Sequence, residues 1–240
     1  MLFLDFFNHV LFTFGADHVT VAELAGFLTG AACVWLTVKG HIANFPVGLA
    51  NDAFFLVLFL SAGLYADSAL QVVYLVLGAI GWWQWIYGGA GRTRLVVRRA
   101  GSGELVVLAG LVVAATVPLA YLLVAAHDIA PFWDALTTAL SLAAQWLLNT
   151  KKVQNWYFWL AADAIYVPLY FVKDLWLTAI VYAIFFAMCV AGLRAWRRAA
   201  REEARRGDGG EGPGTKLLPE ATNQLSGAWF GPVRGPGGVA

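Results

Sequence analysis

The sequence predicts an all-α integral membrane protein with seven transmembrane helices, three on either side of a single linker helix, N-terminus outside and C-terminus inside. Three observations predict it: uncharged stretches of bilayer length, a segregation of basic from acidic loops, and a long internal repeat. Sixty per cent of the 240 residues are apolar and 13% are charged, and the mean hydropathy is +0.67. Soluble domains do not tolerate that balance.

The elements follow in order. Residues 1–19 form an N-terminal interfacial segment. Met1 to Gly15 carries Asp5 and His9 and lacks a basic start and a small-residue cleavage site, so it does not read as a signal peptide. A short interfacial helix with Phe3, Phe6, Phe7 and Phe12 toward lipid is expected there. Hydropathy with polar punctuation then predicts spans over 20–38, 44–62, 68–88, 105–126, 131–149, 155–172 and 175–195. Lys39, Arg92 to Arg99, Lys151 with Lys152, and Arg194 to Arg206 fall on one side of the bilayer. Asp17, Asp67, Asp128 and Asp174 fall on the other, with Lys173 as the single base. The positive-inside rule makes the basic side cytoplasmic, and an even number of spans would scramble the pattern. Residues 199–240, charged and then rich in Gly and Pro, are expected to be a disordered cytoplasmic tail.

Sliding the sequence along itself brings Glu23–Tyr87 over Asp134–Arg198 without a gap. Trp35 then meets Trp146, Asn44 meets Asn155, Asp52 meets Asp163, Gly81 meets Gly192 and Trp85 meets Trp196. The chain accordingly divides into repeat 1 at 20–89, a basic loop and linker helix at 90–130, and repeat 2 at 131–198. Three spans reverse direction and the linker reverses it again, so the repeats run parallel. In transporters with internal repeats the substrate sits near the midplane where the repeats meet.

An ionisable side chain near the bilayer centre costs about 2.5–3.5 kcal/mol on insertion scales, so it usually faces a cavity. Asp52 and Asp163 are the clearest cases. Asn155, Trp159 and Asp163 recur every four residues on one face of the sixth span, with Trp156 and Tyr166 beside them. Gln145 and Asn149 share a face of the preceding span. In repeat 1, Gln71, Tyr74, Gly78, Trp82 and Trp85 fall on a narrow arc, and Asn44 opens the second span. Such a wall suits a flat, cationic ring, which stacks on indole while a carboxylate complements its charge. Gly48 stands where repeat 2 has Trp159, leaving space opposite an aromatic platform.

Other residues have structural readings. Trp35, Trp83, Trp133, Trp176 and Trp196 are expected in the interfacial belt. Asn44, Asn51 and Gln84 can equally serve as interhelical glue. Cys33 and Cys189 lack ligand spacing, and no metal site or cofactor is expected. A charge of +1 argues against nucleic acid as a partner. A membrane enzyme is the rival class, but His9, His18, His41 and His127 are dispersed near span ends without ligand spacing. A structural membrane subunit is the third class, and it would need no ring-stacking wall.

At Asn44–Asn51, Leu64–Gln71, Gly81–Trp85 and Asn155–Asp163 after Lys151–Lys152, continuing through Tyr170–Thr178, the sequence resembles the PnuC family of vitamin transporters over about residues 20–198. The resemblance implies a SWEET-like 3+1+3 organisation, often homotrimeric, and facilitated diffusion (uniport) of nicotinamide riboside, with trapping by a cytosolic kinase that feeds NAD biosynthesis. It places a W-x-x-W-x-x-x-[N/D] stretch of the site on Trp156, Trp159 and Asp163. Many members carry Glu where this chain has Gln154. Others carry thiamine or riboflavin, the alternative cargoes, and retention of Asn155 favours the nicotinamide riboside type. Pro46 and Pro168 are candidate flexing points for alternating access.

Overall fold

Among the residues described by the computed structural model, which are 7, 9–14, 17–61, 63–125, 130–172 and 175–208, a β-hairpin precedes seven long α-helices. The hairpin pairs β1 (Val10–Phe14) with β2 (Asp17–Thr20). Over Val10–Thr20 a hairpin stands where the interfacial helix is expected to continue, while Phe7 is helical and Met1 to Phe6 and Asn8 lie outside the described residues. Val10, Phe12, Thr13 and Val19 are β-branched or aromatic, and the stretch is too short for a stable helix.

Helix α1 (Val21–Val38) starts on a capping box: Thr20 Oγ1 accepts from Glu23 N–H at 3.2 Å, and Glu23 Oε2 accepts from Thr20 N–H at 3.0 Å. Next come α2 (Asn44–Ser61), α3 (Tyr65–Tyr87), α4 (Ser102–Ala125), α5 (Pro131–Asn149), α6 (Asn155–Val172) and α7 (Trp176–Asp208). Five of them, α1 to α4 and α7, are long and apolar enough to cross a membrane. Polar residues at buried positions dilute the hydropathy of α5 and α6. Two departures concern chain ends and prolines. Helix α7 runs on to Asp208, so the first ten residues of the expected tail are helical; Ala, Arg and Glu are strong helix formers, and Glu202 precedes Arg206 by one turn. Pro46 occupies the first turn of α2, where its missing N–H breaks no bond, whereas Pro168 and also Pro118 stand inside helices.

Helix α1 packs on α2, α2 on α3, α3 on α5 and α5 on α6. Helix α7 meets α6 through Cys189 and Asp163 and meets α1 through Trp196 and Thr37. Helix α4 lies against α5, where Leu108 and Val112 pack on Ala139, Ala143 and Leu147. The alanines recur every fourth residue and let the backbones approach.

Hydrogen bonds at the basic end recur at the spacing of the internal repeat. Trp85 Nε1 donates to Leu148 O at 3.0 Å, and Trp196 Nε1 donates to Thr37 O at 3.0 Å. Helix α1 ends with Gly40 at φ +63°, Gly40 N–H bonding Thr37 O and His41 N–H bonding Leu36 O. Helix α5 ends in the same way, with Lys151 at φ +55°, Lys151 N–H bonding Leu148 O and Lys152 N–H bonding Leu147 O. Both are Schellman turns. Asn44 Nδ2 then closes the α1–α2 turn on His41 O, and Asn155 Nδ2 closes the α5–α6 turn on Lys152 O. The aromatic core follows the same correspondence: Phe45 lies edge-on to Trp85 at 5.0 Å, and Trp156 edge-on to Trp196 at 5.5 Å.

Trp196 is 2% exposed and belongs to this core, not to the interfacial belt expected for it. The belt reading assumed a helix ending nearby, but α7 continues three more turns. Trp35, Trp83, Trp133 and Trp176 are all exposed. Gly192 makes the packing possible, since a Cβ there would stand 2.4 Å from the Trp156 ring. Gly192→Ala should destabilise the protein by about 1–3 kcal/mol, the usual cost of overpacking, read as a lower Tm in detergent. Gly110→Ala, with nothing within 4 Å of the added carbon, should leave Tm unchanged.

Candidate functional site

Helix α5 carries the organising feature. Thr137, Ser141, Gln145 and Asn149 recur every four residues, so one face presents a polar stripe, and three of the four are buried. Each member is engaged. Thr137 is hydrogen-bonded to Tyr166 of α6, and Ser141 to Tyr74 of α3. Gln145 Nε2 donates to Asn149 Oδ1 at 3.0 Å, and Asn149 Nδ2 donates to Leu77 O of α3 at 2.8 Å. Asn149 reaches that carbonyl because Gly81 has no side chain: a Cβ there would lie 2.2 Å from Asn149 Oδ1. The stripe thus joins α3 to α6 through α5.

An aromatic and acidic wall faces it from α6 and α7. Tyr166 and Tyr182 stand 4.6 Å apart by ring centroids, and Tyr170 stacks on Tyr182 at 5.1 Å and hydrogen-bonds to it. Asp163, one turn before Tyr166, is 5% exposed and accepts from Cys189 Sγ at 3.4 Å. Trp159 is half-buried against the aromatic core, as is Trp82. Asp52 of α2, half-buried, lies within electrostatic reach of Tyr74 and Cys33.

The residues singled out from sequence separate into two groups. Tyr74, Gln145, Asn149 and Tyr166 lie along a seam formed by the α5 stripe and its neighbours on α3 and α6, with Asp163 one turn before Tyr166, while Trp82 and Trp159 pack against the aromatic core. Asn44, Trp85, Asn155 and Trp156 belong to the hydrogen-bonded basic end. Asn44 closes a turn, Trp85 is tied to a carbonyl, and Trp156 is 1% exposed. Asn155 Oδ1 and Trp156 Nε1 are buried without a hydrogen-bond partner among the described residues. Gln71 is half-buried one turn before Tyr74. Gly48 does not open space opposite Trp159, because a Cβ there would meet Cys33 Sγ at 3.2 Å. Asn51 is interhelical glue, donating to Gly26 O at 3.1 Å and Thr29 Oγ1 at 2.6 Å.

Thr137, Ser141, Tyr170 and Tyr182 were not singled out from sequence. The four-residue period through Gln145 and Asn149, extended backwards, would have found the first two. Tyr182 corresponds to Gln71 in the other repeat, so its partnership with α6 has no counterpart to read across.

The seam is sealed at the basic end. Lys151 Nζ donates to Leu95 O at 3.0 Å and lies 4.3 Å from the Trp85 ring centroid. Arg98 N–H donates to Lys151 O at 3.2 Å, and Val153 N–H to Arg98 O at 2.9 Å. Gln154 Oε1 accepts from Ala100 N–H at 2.8 Å, and Lys152 pairs with Glu104. The α3–α4 connection is thereby strapped under the α5–α6 turn. A groove of about 690 Å³ opens elsewhere, between α3, α4 and α5, bordered by Leu77, Leu111 and Trp146.

A model of the nicotinamide mononucleotide transporter family matches residues 20–198. The chain belongs to that family. It is 25% identical over 235 residues to the nicotinamide riboside transporter PnuC of Escherichia coli, covering 85% of this chain and 98% of that protein. It is 25% identical over 208 residues to the riboflavin/roseoflavin transporter RibM of Streptomyces davaonensis, covering 84% and 96%. The crystal structure of a vitamin B3 transporter PnuC superposes with a TM-score of 0.60 at 20% identity, over 75% of this chain and 82% of that one. That likeness shows a shared fold. The protein is thus an all-α multi-pass membrane protein of a transporter family, its short hairpin aside.

Burial, and after it the neighbouring Arg94 guanidinium, hold the Lys151 ammonium below the ordinary lysine pKa. Its charge therefore costs more in the folded than in the unfolded chain. Arg94→Gln should raise Tm slightly at neutral pH, and the gain should fade as pH climbs through the folded pKa to the ordinary lysine value. Lys151→Met should lower Tm, at about 2–4 °C per kcal/mol lost, because it removes both the Leu95 bond and the contact with Trp85.

Proposed function

We propose that this protein carries nicotinamide riboside across the cell membrane by facilitated diffusion, with phosphorylation by a cytosolic kinase retaining the product. The observation that carries this reading is the polar stripe of α5, which meets Tyr74 and Leu77 of α3 on one side and Tyr166 of α6, one turn from Asp163 and two from Trp159, on the other. A pyridinium ring can stack on the half-buried Trp159 while Asp163 complements its charge, and the amides of Gln145 and Asn149 suit the carboxamide and ribose hydroxyls. The relatives named nicotinamide riboside transporters support this cargo.

In this reading the seven helices all span the bilayer as a SWEET-like 3+1+3 arrangement, with the N-terminus outside and the basic end in the cytosol. The recurring bonds Trp85–Leu148 and Trp196–Thr37 support two units related by an axis along the membrane normal. Asp163 is closed off against Cys189 of α7 in this state, so loading requires α6 and α7 to shift against each other. The sealed basic end makes this an inward-closed state, and transport proceeds by rocking of one triple against the other. Assembly as a homotrimer belongs to the same reading.

Riboflavin is the second cargo to weigh, because RibM matches at the same identity as the Escherichia coli protein. A flavin ring is larger and neutral, so it would use the stacking wall without needing the carboxylate. Calorimetry of the purified protein with nicotinamide riboside, riboflavin and thiamine tests the proposal. Nicotinamide riboside should bind, and binding of none of the three would sink carriage of this class of vitamin. In cells, Trp159→Ala and Asp163→Asn should each lower nicotinamide riboside uptake about tenfold or more, the scale of 1–2 kcal/mol of lost ring interaction. Trp176→Ala should leave uptake unchanged.

A further inference from the structure

We propose that the groove between the α3–α4 connection and the last turns of α7 binds the phosphate-bearing headgroup of an anionic membrane lipid. The groove holds about 580 Å³, with Arg98 and Arg99 on one wall and Arg201 and Arg205 on the other. Arg201 and Arg205 are one helical turn apart and share a face of α7. One carboxylate, Glu203, borders the same space, so the groove has a strong surplus of positive charge. Its floor is apolar, made by Val96 and Val97 with Ala200 and Ala204. Those side chains offer no acceptors to compete for the guanidinium donors.

The positive-inside rule accounts for arginines at this end of the helices but requires no groove. Here the connection is fixed. Arg98 is held on both sides of its backbone by the α5–α6 turn, through Lys151 O and Val153 N, and Ala100 N–H is held by Gln154. The opposite wall is rigid because α7 continues unbroken past Trp196 to Asp208. Guanidinium groups bind phosphate oxygens in bidentate fashion, and a pre-set pair of walls removes part of the ordering cost.

Depth selects a lipid over a soluble anion. Helix α4 begins at Ser102, three residues beyond Arg99, and the core residues Leu193 and Trp196 lie one to two turns before Ala200. The groove therefore stands at the rim of the apolar body, where headgroup phosphates lie. Basic pockets at such positions recognise acidic headgroups, and each cation near the surface contributes about fivefold in affinity. The apolar floor suits the glycerol and upper acyl carbons that a free phosphate lacks.

The test measures the Tm of the purified full-length chain in detergent with added phosphatidylglycerol, phosphatidylcholine or inorganic phosphate. Phosphatidylglycerol should raise Tm, while phosphatidylcholine and millimolar phosphate should not. The triple variant R99Q/R201Q/R205Q should lose that rise, and the charge-matched R92Q/R194Q/R198Q should keep it. An equal rise in the triple variant, or an equal loss in the control, would overturn the site. A rise reproduced by inorganic phosphate would overturn the lipid as its occupant. Should the triple variant fail to fold, Arg205→Gln alone should weaken the apparent affinity for phosphatidylglycerol about fivefold, and an unchanged affinity would overturn the proposal equally.

Discussion

Two indole N–H groups and two helix-end carbonyls hold this molecule together. A helix ending at the edge of hydrocarbon leaves carbonyls without intrahelical partners, and water cannot reach them once other helices close in. Leu148 O and Thr37 O are in that position. Each receives a Schellman turn from its own chain and an indole from a helix of the other triple, Trp85 and Trp196 respectively. Because the donor always comes from the third helix of one triple and the acceptor from the first helix of the other, the two triples are tied reciprocally.

Much of the surrounding structure depends on that tie. Reaching those carbonyls brings the Trp85 and Trp196 rings together, tilted at 53° with centroids 5.8 Å apart. Phe45 and Trp156 fill the flanks, and Gly81 and Gly192 are obligatory because those rings occupy the space of their missing side chains. Lys151 rests on the outer face of Trp85 and draws the α3–α4 connection in beneath it. Away from this sealed end the two triples are held by hydroxyls and amides in place of aromatic packing. Such contacts exchange partners at low net cost in a membrane protein. The molecule is thus firmly closed at one end and polar along the seam above it.

The repeat was legible because a few rare residues recur at a constant offset; of these, Asn44 with Asn155 and Trp85 with Trp196 make corresponding hydrogen bonds, whereas Asp163 bonds Cys189, at whose counterpart position stands Gly78. Asn44 and Asn155 illustrate the gap between pattern and role. Their correspondence is plain in the sequence, but a polar residue beside tryptophans reads equally as ligand-facing or as a turn lock, and both lock turns. Trp196 shows the same gap in reverse, since its place in the belt was inferred from a helix end that does not exist there. The hairpin over Val10–Thr20 escaped detection because its aromatic residues suit a lipid-facing helix as well as a strand.

What the sequence by itself determined is local and periodic: which stretches are apolar enough to be helices, which loops share a charge, which face of α6 gathers tryptophan and carboxylate, and that one half of the bundle echoes the other. Helical spacing and the cost of burying charge follow from composition and order alone. Only the tertiary structure decided which polar groups meet. Ser141 with Tyr74, Thr137 with Tyr166, Asp163 with Cys189, and Arg98 facing Arg201 are encounters between distant segments. Their pairing depends on how helices cross and how closely glycines let them approach, and no period along the chain encodes it.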